Sequence, residues 1–412
     1  MLYGLIGEKL GHSYSCEIHE KIADYHYELL EIPREELADF FKKRDFLGIN
    51  VTIPYKEAVI PFLDEISDTA KAVGAVNTVV NRNGVLSGFN TDLAGMTAML
   101  RRAKIEPDGK KVMILGTGGT SKTARAVMKA LGAKSIVLTS RSGREGGISY
   151  EEAAEKHADT EIIINTTPVG MYPKTSEKPI DISLFPKLCG VADAIYNPLR
   201  SELILDALER GIPCCGGLYM LAAQAVYARN LFLNENDCGE LTEKAYRETM
   251  LQKQNIVLIG MPSSGKSSVG AMLAEQMKMP FIDTDSLIIE RAEKSIPDIF
   301  ASEGENGFRA LKAQIIKEIS VRGGSIIATG GGAVLNPANV RELKKNGVVM
   351  FLDRKPELLC GTADRPLSQN AEAMARLYEK RYPIYLSSAD IRIDSNGTVE
   401  EAAALIRKEL SK

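Results

Sequence analysis

Short apolar runs alternate with helical patterns along the chain. In the first hundred residues the runs are Leu2 to Gly7, Tyr25 to Ile32, Gly48 to Ile53 and Ala75 to Val80, with helical patterns such as Arg34 to Lys42 between them. Strands that alternate with helices predict an α/β fold. The pattern returns at Lys111 to Leu131 and at Asn255 to Gly270, each time as an apolar strand, a glycine loop and a helix. Phe281 to Asp285 and Ser325 to Gly332 end two further strands. An apolar helix is expected from about Leu218 to Phe232, and the polar run from Glu235 to Gln254 reads as a closing helix and linker.

At 412 residues the chain is long enough for two or three domains. The boundaries expected are 1–105, completed by helices at about 218–250, then 106–217 and 253–412. Composition is 44% hydrophobic and 25% charged with a net charge of -3, ordinary for a globular enzyme and without the basic excess of a nucleic-acid binder. Cys16, Cys189, Cys214, Cys215, Cys238 and Cys360 show neither a CxxC pair nor zinc spacing, so reduced thiols and a cytoplasmic location are expected. Glu8, Lys9 and His12 stand where a signal peptide needs its apolar region, and no apolar run of about 18 residues occurs. Secretion and membrane insertion are therefore not expected.

The stretch NIVLIGMPSSGKSSVG, Asn255 to Gly270, reads as a phosphate-binding loop. Gly260 and Gly265 let successive backbone N–H groups turn inward, with Ser264 and Ser268 in the same cradle, and the helix that follows adds the positive end of its dipole. Lys266 would reach the β- and γ-phosphates of ATP, and Ser267 would ligate Mg²⁺. At the end of FIDTD, Asp283 would hold that ion through water and Asp285 would accept a bond from an attacking hydroxyl. Gly331 and Gly332 of the triple glycine let backbone approach a polyol closely. The plainer alternatives are a Gly/Ser turn, a solvated DTD turn and a flexible glycine corner.

The loop at Lys111 to Leu131 is of dinucleotide type, with Gly116, Gly118 and Gly119 and with Ser121 in the place of the usual third glycine. The next strand ends at Ser140-Arg141-Ser142 without an acidic residue for the ribose hydroxyls of NAD. Arg141 instead suits the 2′-phosphate of NADP, unless it is only a loop charge. Four polar clusters end the strands of the first hundred residues: HSYS (His12 to Ser15), NVTIPYK (Asn50 to Lys56), GAVN (Gly74 to Asn77) and GFNTDLAG (Gly88 to Gly95). Strand ends are where α/β proteins place ligands. Singly, Ser13 or Ser15 could be a helix N-cap, Lys56 a solvated lysine and Asp92 the cap of the next helix.

Together these clusters resemble the substrate domain of shikimate dehydrogenase, with its pattern HSxSP, NVTxPxK, GAxNT and GxNTDxxG in this order. The resemblance implies that Ser13 and Ser15 bind the substrate carboxylate, that Thr52 and Asn77 bind its hydroxyls, and that Lys56 and Asp92 form the acid/base pair. Ketone reduction needs a proton for the developing alkoxide, which a positioned ammonium can stabilise and supply. Cys16 departs from the family's proline. The dinucleotide loop resembles the family's GxGGxx(K/R)xA through Lys122 and Ala124, as do NTTPVGM (Asn165 to Met171), DAIYNP (Asp193 to Pro198) and GLYMLAAQA (Gly217 to Ala225). That likeness implies that Tyr196 and Gln224 contact substrate and that Gly217 lies on the nicotinamide side.

With GFR (Gly307 to Arg309), RPL (Arg365 to Leu367) and KRYPIY (Lys380 to Tyr385), the second half resembles shikimate kinase. By that likeness Arg309 and Arg381 clamp a carboxylate and Arg365 sits on a lid over the transferring phosphoryl group. Two departures stand out. Lys312 occupies the place of the acid in FRxxE, and the lid segment LLCGTADRPL is short, with no arginine before its threonine. The expectation is a fused enzyme that reduces 3-dehydroshikimate with NADPH and phosphorylates shikimate with MgATP, with homo-oligomerisation left open. The alternatives are a quinate/shikimate dehydrogenase joined to another polyol kinase, or to a kinase-like fold that only senses a ligand.

Overall fold

Glycine, β-branched and leucine-rich runs become strands wherever both faces can be covered, and three sheets result. The computed structural model describes residues 2–11, 13–141, 143, 146–236, 239–359 and 371–411. They divide into two compact units, Met1–Met250 and Leu251–Lys412.

In the first unit, β1 (Tyr3–Gly7), β2 (Tyr27–Glu31), β3 (Gly48–Val51), β4 (Glu65–Ile66), β5 (Thr78–Arg82) and β6 (Val85–Phe89) form one sheet in the order β2-β1-β3-β5-β6-β4. The sheet is mixed: β1 pairs in parallel with β2 and β3, whereas β5 is antiparallel to β3 and β6. The β5–β6 hairpin turns on Asn83 (φ 54°) and Gly84 (φ 87°), the left-handed pair that a tight two-residue connection demands. β4 and β6 add to the strands that the apolar runs predict, since neither carries an apolar run of its own.

The second sheet of this unit is wholly parallel: β7 (Lys111–Leu115), β8 (Ser135–Thr139), β9 (Ile162–Asn165), β10 (Gly190–Asp193) and β11 (Cys214–Cys215), in the order β11-β10-β9-β7-β8. Every residue of β9 and β10 is buried, as expected when helices cover both faces. From β7 the chain proceeds to one side and then returns to the other, so the crevice between the loops after β7 and β9 is a switch point where ligands bind.

The helix Leu218–Leu233 is apolar on nearly all sides and is buried accordingly. It returns to the first sheet. A Cβ on Gly48 of β3 would lie 2.2 Å from the Phe232 ring, and one on Gly95 of the helix Thr91–Arg102 would lie 2.8 Å from the Met220 carbonyl. Both glycines are close-approach positions for that helix.

In the second unit, β12 (Asn255–Ile259), β13 (Phe281–Asp283), β14 (Ile326–Ala328), β15 (Gly347–Asp353) and β16 (Ile391–Asp394) form a parallel sheet in the order β13-β14-β12-β15-β16. Alternate residues of β12 feed two cores. Ile256 and Leu258 pack with Val269, Leu273 and Ile406 on one face, while Val257 and Ile259 pack with Ile288, Ile315, Leu343 and Tyr385 on the other. All loops discussed below leave the carboxyl ends of these strands. Among the described residues no helix is long and apolar enough to cross a membrane.

Candidate active sites

In the first unit the helix Thr91–Arg102 is capped by Asn90, whose side chain accepts from the Leu93 amide. Asp92 is therefore not the cap. It stands buried in the first turn, where the helix dipole favours a carboxylate, and its Oδ2 lies 2.5 Å from Lys56 Nζ. Lys56 is not a solvated lysine either, since only 20% of its side chain is exposed. A cation and an anion are thus in direct contact and largely withdrawn from solvent, which is what a proton donor and its orienting group require.

Behind the pair lies a polar floor. Buried Asn77 donates to Thr91 Oγ1 (3.0 Å) and to Gln224 Oε1 (3.4 Å), while its side-chain carbonyl oxygen accepts from the Thr91 amide (2.7 Å). Asn50 donates to Thr78 Oγ1 (3.0 Å) and accepts from the Tyr27 hydroxyl (2.7 Å). Under Tyr27, His19 stacks with ring centroids 3.9 Å apart, and burial drives its pKa down to about 3, so it remains a neutral packing group. Thr91 lies within the GFNTDLAG cluster and Tyr27 within the second apolar run, but no sequence signal assigns either of them, or His19 on the helix Ser15–Ile22, to the site.

Ser13 accepts from the Ser15 amide (3.2 Å) and donates to Ser15 Oγ (3.0 Å), so the two hydroxyls stand together at the start of the helix Ser15–Ile22, and neither caps it. Thr52 begins the turn after β3, its carbonyl accepting from the Tyr55 amide. The Tyr14 and Tyr196 rings are 5.1 Å apart. Burial, reinforced by Tyr196 and Glu17, pushes Tyr14 up to about 12, and burial raises Tyr196 as well, so both phenols keep their protons at neutral pH and can donate.

At the dinucleotide loop Gly116 takes φ 104°, a conformation that suits glycine, and a Cβ there would lie 3.0 Å from Thr166 and Thr167. A Cβ on Gly118 or Gly119 would meet nothing within 4 Å, so the space beside the backbone at the start of the helix Gly119–Ala130 is open, and a helix start of this kind suits a phosphate. Ser121 takes the place of the third glycine by donating to the Gly118 carbonyl (2.6 Å). After β8, Ser140 holds a buried hydroxyl with no hydrogen-bond partner among the described residues, and Arg141 beside it is exposed. An unpartnered hydroxyl and an exposed guanidinium at this strand end suit a phosphate. Gly217 is constrained differently: a Cβ there would lie 2.2 Å from the Ala194 carbonyl.

The loop after β10 is held by Asp193, wholly buried, which accepts from Asn165 Nδ2 (3.0 Å) and the Ile195 amide (3.0 Å) and lies 2.5 Å from Ser201 Oγ. Burial raises its pKa to about 7 against the pull of those three bonds. The folded state thus holds a proton that an unfolded chain, with a carboxyl pKa of about 4, releases; this stabilisation is complete below about pH 4 and is lost as pH rises through 7. Asparagine mimics the protonated form. Between pH 4 and 7 the unfolding free energy of the parent should therefore fall relative to Asp193→Asn by up to about 1.4 kcal/mol per pH unit. Denaturant unfolding of both proteins across that range checks it, and parallel curves would exclude a proton on Asp193.

In the second unit Gly260 (φ 154°) and Gly265 (φ 88°) turn the loop, and Gly265 precedes the helix Lys266–Met277. Buried Lys266 donates to the Gly260 carbonyl (3.0 Å), the Met261 carbonyl (2.7 Å) and Ser264 Oγ (3.3 Å), folded over the loop it would serve. Ser268 lies in the first turn of that helix. Ser267 Oγ donates to Asp283 Oδ2 (2.6 Å), while Asp283 Oδ1 caps the next helix by accepting from the Asp285 and Ser286 amides. Two hard oxygen donors stand side by side at the end of the phosphate loop, a set that fits magnesium.

Asp285 Oδ1 lies 3.1 Å from the ammonium of buried Lys312. The Gly331 carbonyl accepts from buried Arg381 (3.2 Å) and from the Tyr385 hydroxyl, and Gly332 precedes a short 3-10 turn. Arg309 takes another partner: it pairs on the helix surface with Glu305, one turn earlier (Nε to Oε1 2.8 Å), while Arg381 is spent on the glycine loop. Arg365, Cys360 and Gly361 lie outside the described residues.

Two family descriptions match the chain: the shikimate dehydrogenase substrate binding domain over residues 5–79 and shikimate kinase over residues 262–411. The shikimate dehydrogenase (NADP(+)) of Clostridium perfringens strain SM101 is 38% identical over 265 residues, covering 60% of this chain and 97% of that protein. A solved chorismate mutase/shikimate 5-dehydrogenase fusion from Clostridium acetobutylicum is 36% identical with a TM-score of 0.57, covering 60% of this chain and 96% of that one. Shikimate 5-dehydrogenase from Thermus thermophilus, solved with NADP(H) and shikimate, is 30% identical with a TM-score of 0.53, covering 60% and 99%. The chain therefore belongs, through its larger part, to the shikimate dehydrogenase family and carries a shikimate kinase domain behind it, which makes it a bifunctional enzyme of the shikimate pathway.

Proposed function

We propose that the first unit reduces 3-dehydroshikimate to shikimate with NADPH and that the second phosphorylates the 3-hydroxyl of shikimate with MgATP. The observation that carries this reading is that each unit combines a glycine nucleotide loop with a close polar pair, Lys56 with Asp92 (2.5 Å) in the first and Ser267 with Asp283 (2.6 Å) in the second. Glu57, next to Lys56, is also bridged to Lys122 of the dinucleotide helix (2.7 Å), which brings the first pair to the cofactor loop.

NADPH, when bound, supplies the hydride to the carbonyl carbon. Lys56 then stabilises the growing negative charge on the carbonyl oxygen and delivers the proton, while Asp92 fixes the ammonium and accepts from a neighbouring substrate hydroxyl. Ser13 and Ser15 receive the substrate carboxylate; Thr52, Asn77, Tyr196 and Gln224 receive its hydroxyls. In the second unit magnesium, when bound, neutralises charge on the phosphates and would be held by Ser267 and Asp283. Asp285 takes the proton of the attacking hydroxyl, and Lys266 with the loop amides holds the phosphates in line.

A coupled assay tests both halves at once. With 3-dehydroshikimate, ATP and magnesium, shikimate 3-phosphate should form when NADPH is supplied. Because Arg141 offers a guanidinium and no carboxylate stands at that strand end among the described residues, NADPH should exceed NADH in kcat/KM by at least about tenfold, a single charge-assisted contact. Equal values would overturn the role of Arg141, and failure to convert 3-dehydroshikimate with either cofactor would overturn the substrate.

A further inference from the structure

The chemistry above makes no use of Lys312. It sits on the helix Ile296–Ser320 with 7% of its side chain exposed, its ammonium 3.1 Å from Asp285 Oδ1 and 4.5 Å from the centroid of the Phe308 ring one turn earlier. A Cβ built on Gly330 would lie 2.2 Å from Asp285 Oδ1 and 2.5 Å from Lys312 Nζ. The ion pair is thus roofed directly by the glycine loop expected to receive the polyol. A buried ammonium is costly unless a carboxylate and a packed surface compensate it, and both are present. Arg309, three residues earlier on the same helix, pairs with Glu305 and not with Asp285.

We propose that Lys312 is a positioning residue of the kinase: it holds Asp285 by Oδ1 so that Oδ2 faces the attacking hydroxyl. The proposal rests on the role given to Asp285 above. A lysine here does by direct pairing what an acid could not, because two carboxylates at this distance would repel one another. The role is mechanical and electrostatic, and Lys312 itself transfers no proton.

The test uses the full chain, with dehydrogenase activity as an internal measure of intact protein. Lys312→Met should lower kinase kcat by about 10- to 100-fold and leave the KM for ATP within about twofold, since the phosphate contacts are untouched. Lys312→Arg, which keeps a cation, should restore at least a tenth of parent kcat, although its planar fork differs. In an Asp285→Asn background Lys312→Met should have no further effect, because the lysine acts through that carboxylate. Parent-like kcat in Lys312→Met, or an equal loss with and without Asp285, overturns the proposal. Parent-like kcat in Asp285→Asn alone overturns the base assignment instead. If Lys312→Met does not fold, Lys312→Gln carries the same comparisons, and if that too is unfolded Lys312 is structural and the positioning role is wrong.

Discussion

Lys56→Ala should lose dehydrogenase turnover by about 10² to 10⁴-fold, the range a positioned acid/base group contributes, while kinase kcat stays at the parent value. The split is expected because Lys56 and Asp92 belong to one compact unit and the phosphate loop to the other. Removal of the ammonium also leaves Asp92 only 6% exposed beside a void, without a counter-ion, so some stability of the first unit goes with it. A thermal melt read alongside kcat separates the two effects. Reduction of 3-dehydroshikimate above a tenth of the parent rate in a folded variant would remove Lys56 from the role of proton donor.

Lys266→Met is the counterpart in the second unit. Its ammonium bonds the carbonyls of Gly260 and Met261, so the charge already stands inside the cradle and needs only to exchange these for phosphate oxygens. Loss of one such preorganised donor costs about 10² to 10³-fold in turnover. Methionine keeps the stem packed against the loop but leaves the Gly260 and Met261 carbonyls without this donor, so the second unit should melt somewhat lower while the dehydrogenase rate and the melting of the first unit are unchanged. Shikimate phosphorylation within tenfold of the parent would show that the loop amides alone carry the phosphates.

Both nucleotide loops were legible in the sequence because their geometry is local: glycines at Gly116, Gly118, Gly260 and Gly265, flanked by a strand and a helix, leave few other conformations. The strand–helix alternation was legible in Lys111–Cys215 and in the second unit because strands such as β9 and β15 are buried on both faces and their apolar runs are continuous. The first sheet was harder. Its strand β4 is two residues long, and β6 has exposed Val85 beside buried Leu86, so neither has an apolar run; the Asn83-Gly84 turn was the available signal for the hairpin. Partners distant in sequence were beyond reach for a different reason. Lys312 meets Asp285 through the crossing of two helices, and Asn77 meets Gln224 across 147 positions, distances over which residue spacing says nothing about contact. Arg309 illustrates the converse: the motif directs it to a ligand, but the neighbour one helical turn away takes it in this structure.

The helix that covers the first sheet comes from the far side of the nucleotide-binding segment, with Phe232 lying over Gly48 and beside Tyr3. On the ribosome this has a temporal meaning. Once residue 105 has emerged, Leu5, Tyr27 and Val80 still lack the partners Ala228 and Phe232, and at roughly 5 to 20 residues per second the missing helix follows about 6 to 25 s later. The nascent chain must carry an uncovered apolar sheet through that interval. The second unit, contiguous in sequence, has no such delay, so the order of synthesis and the order of completion differ within the first unit alone.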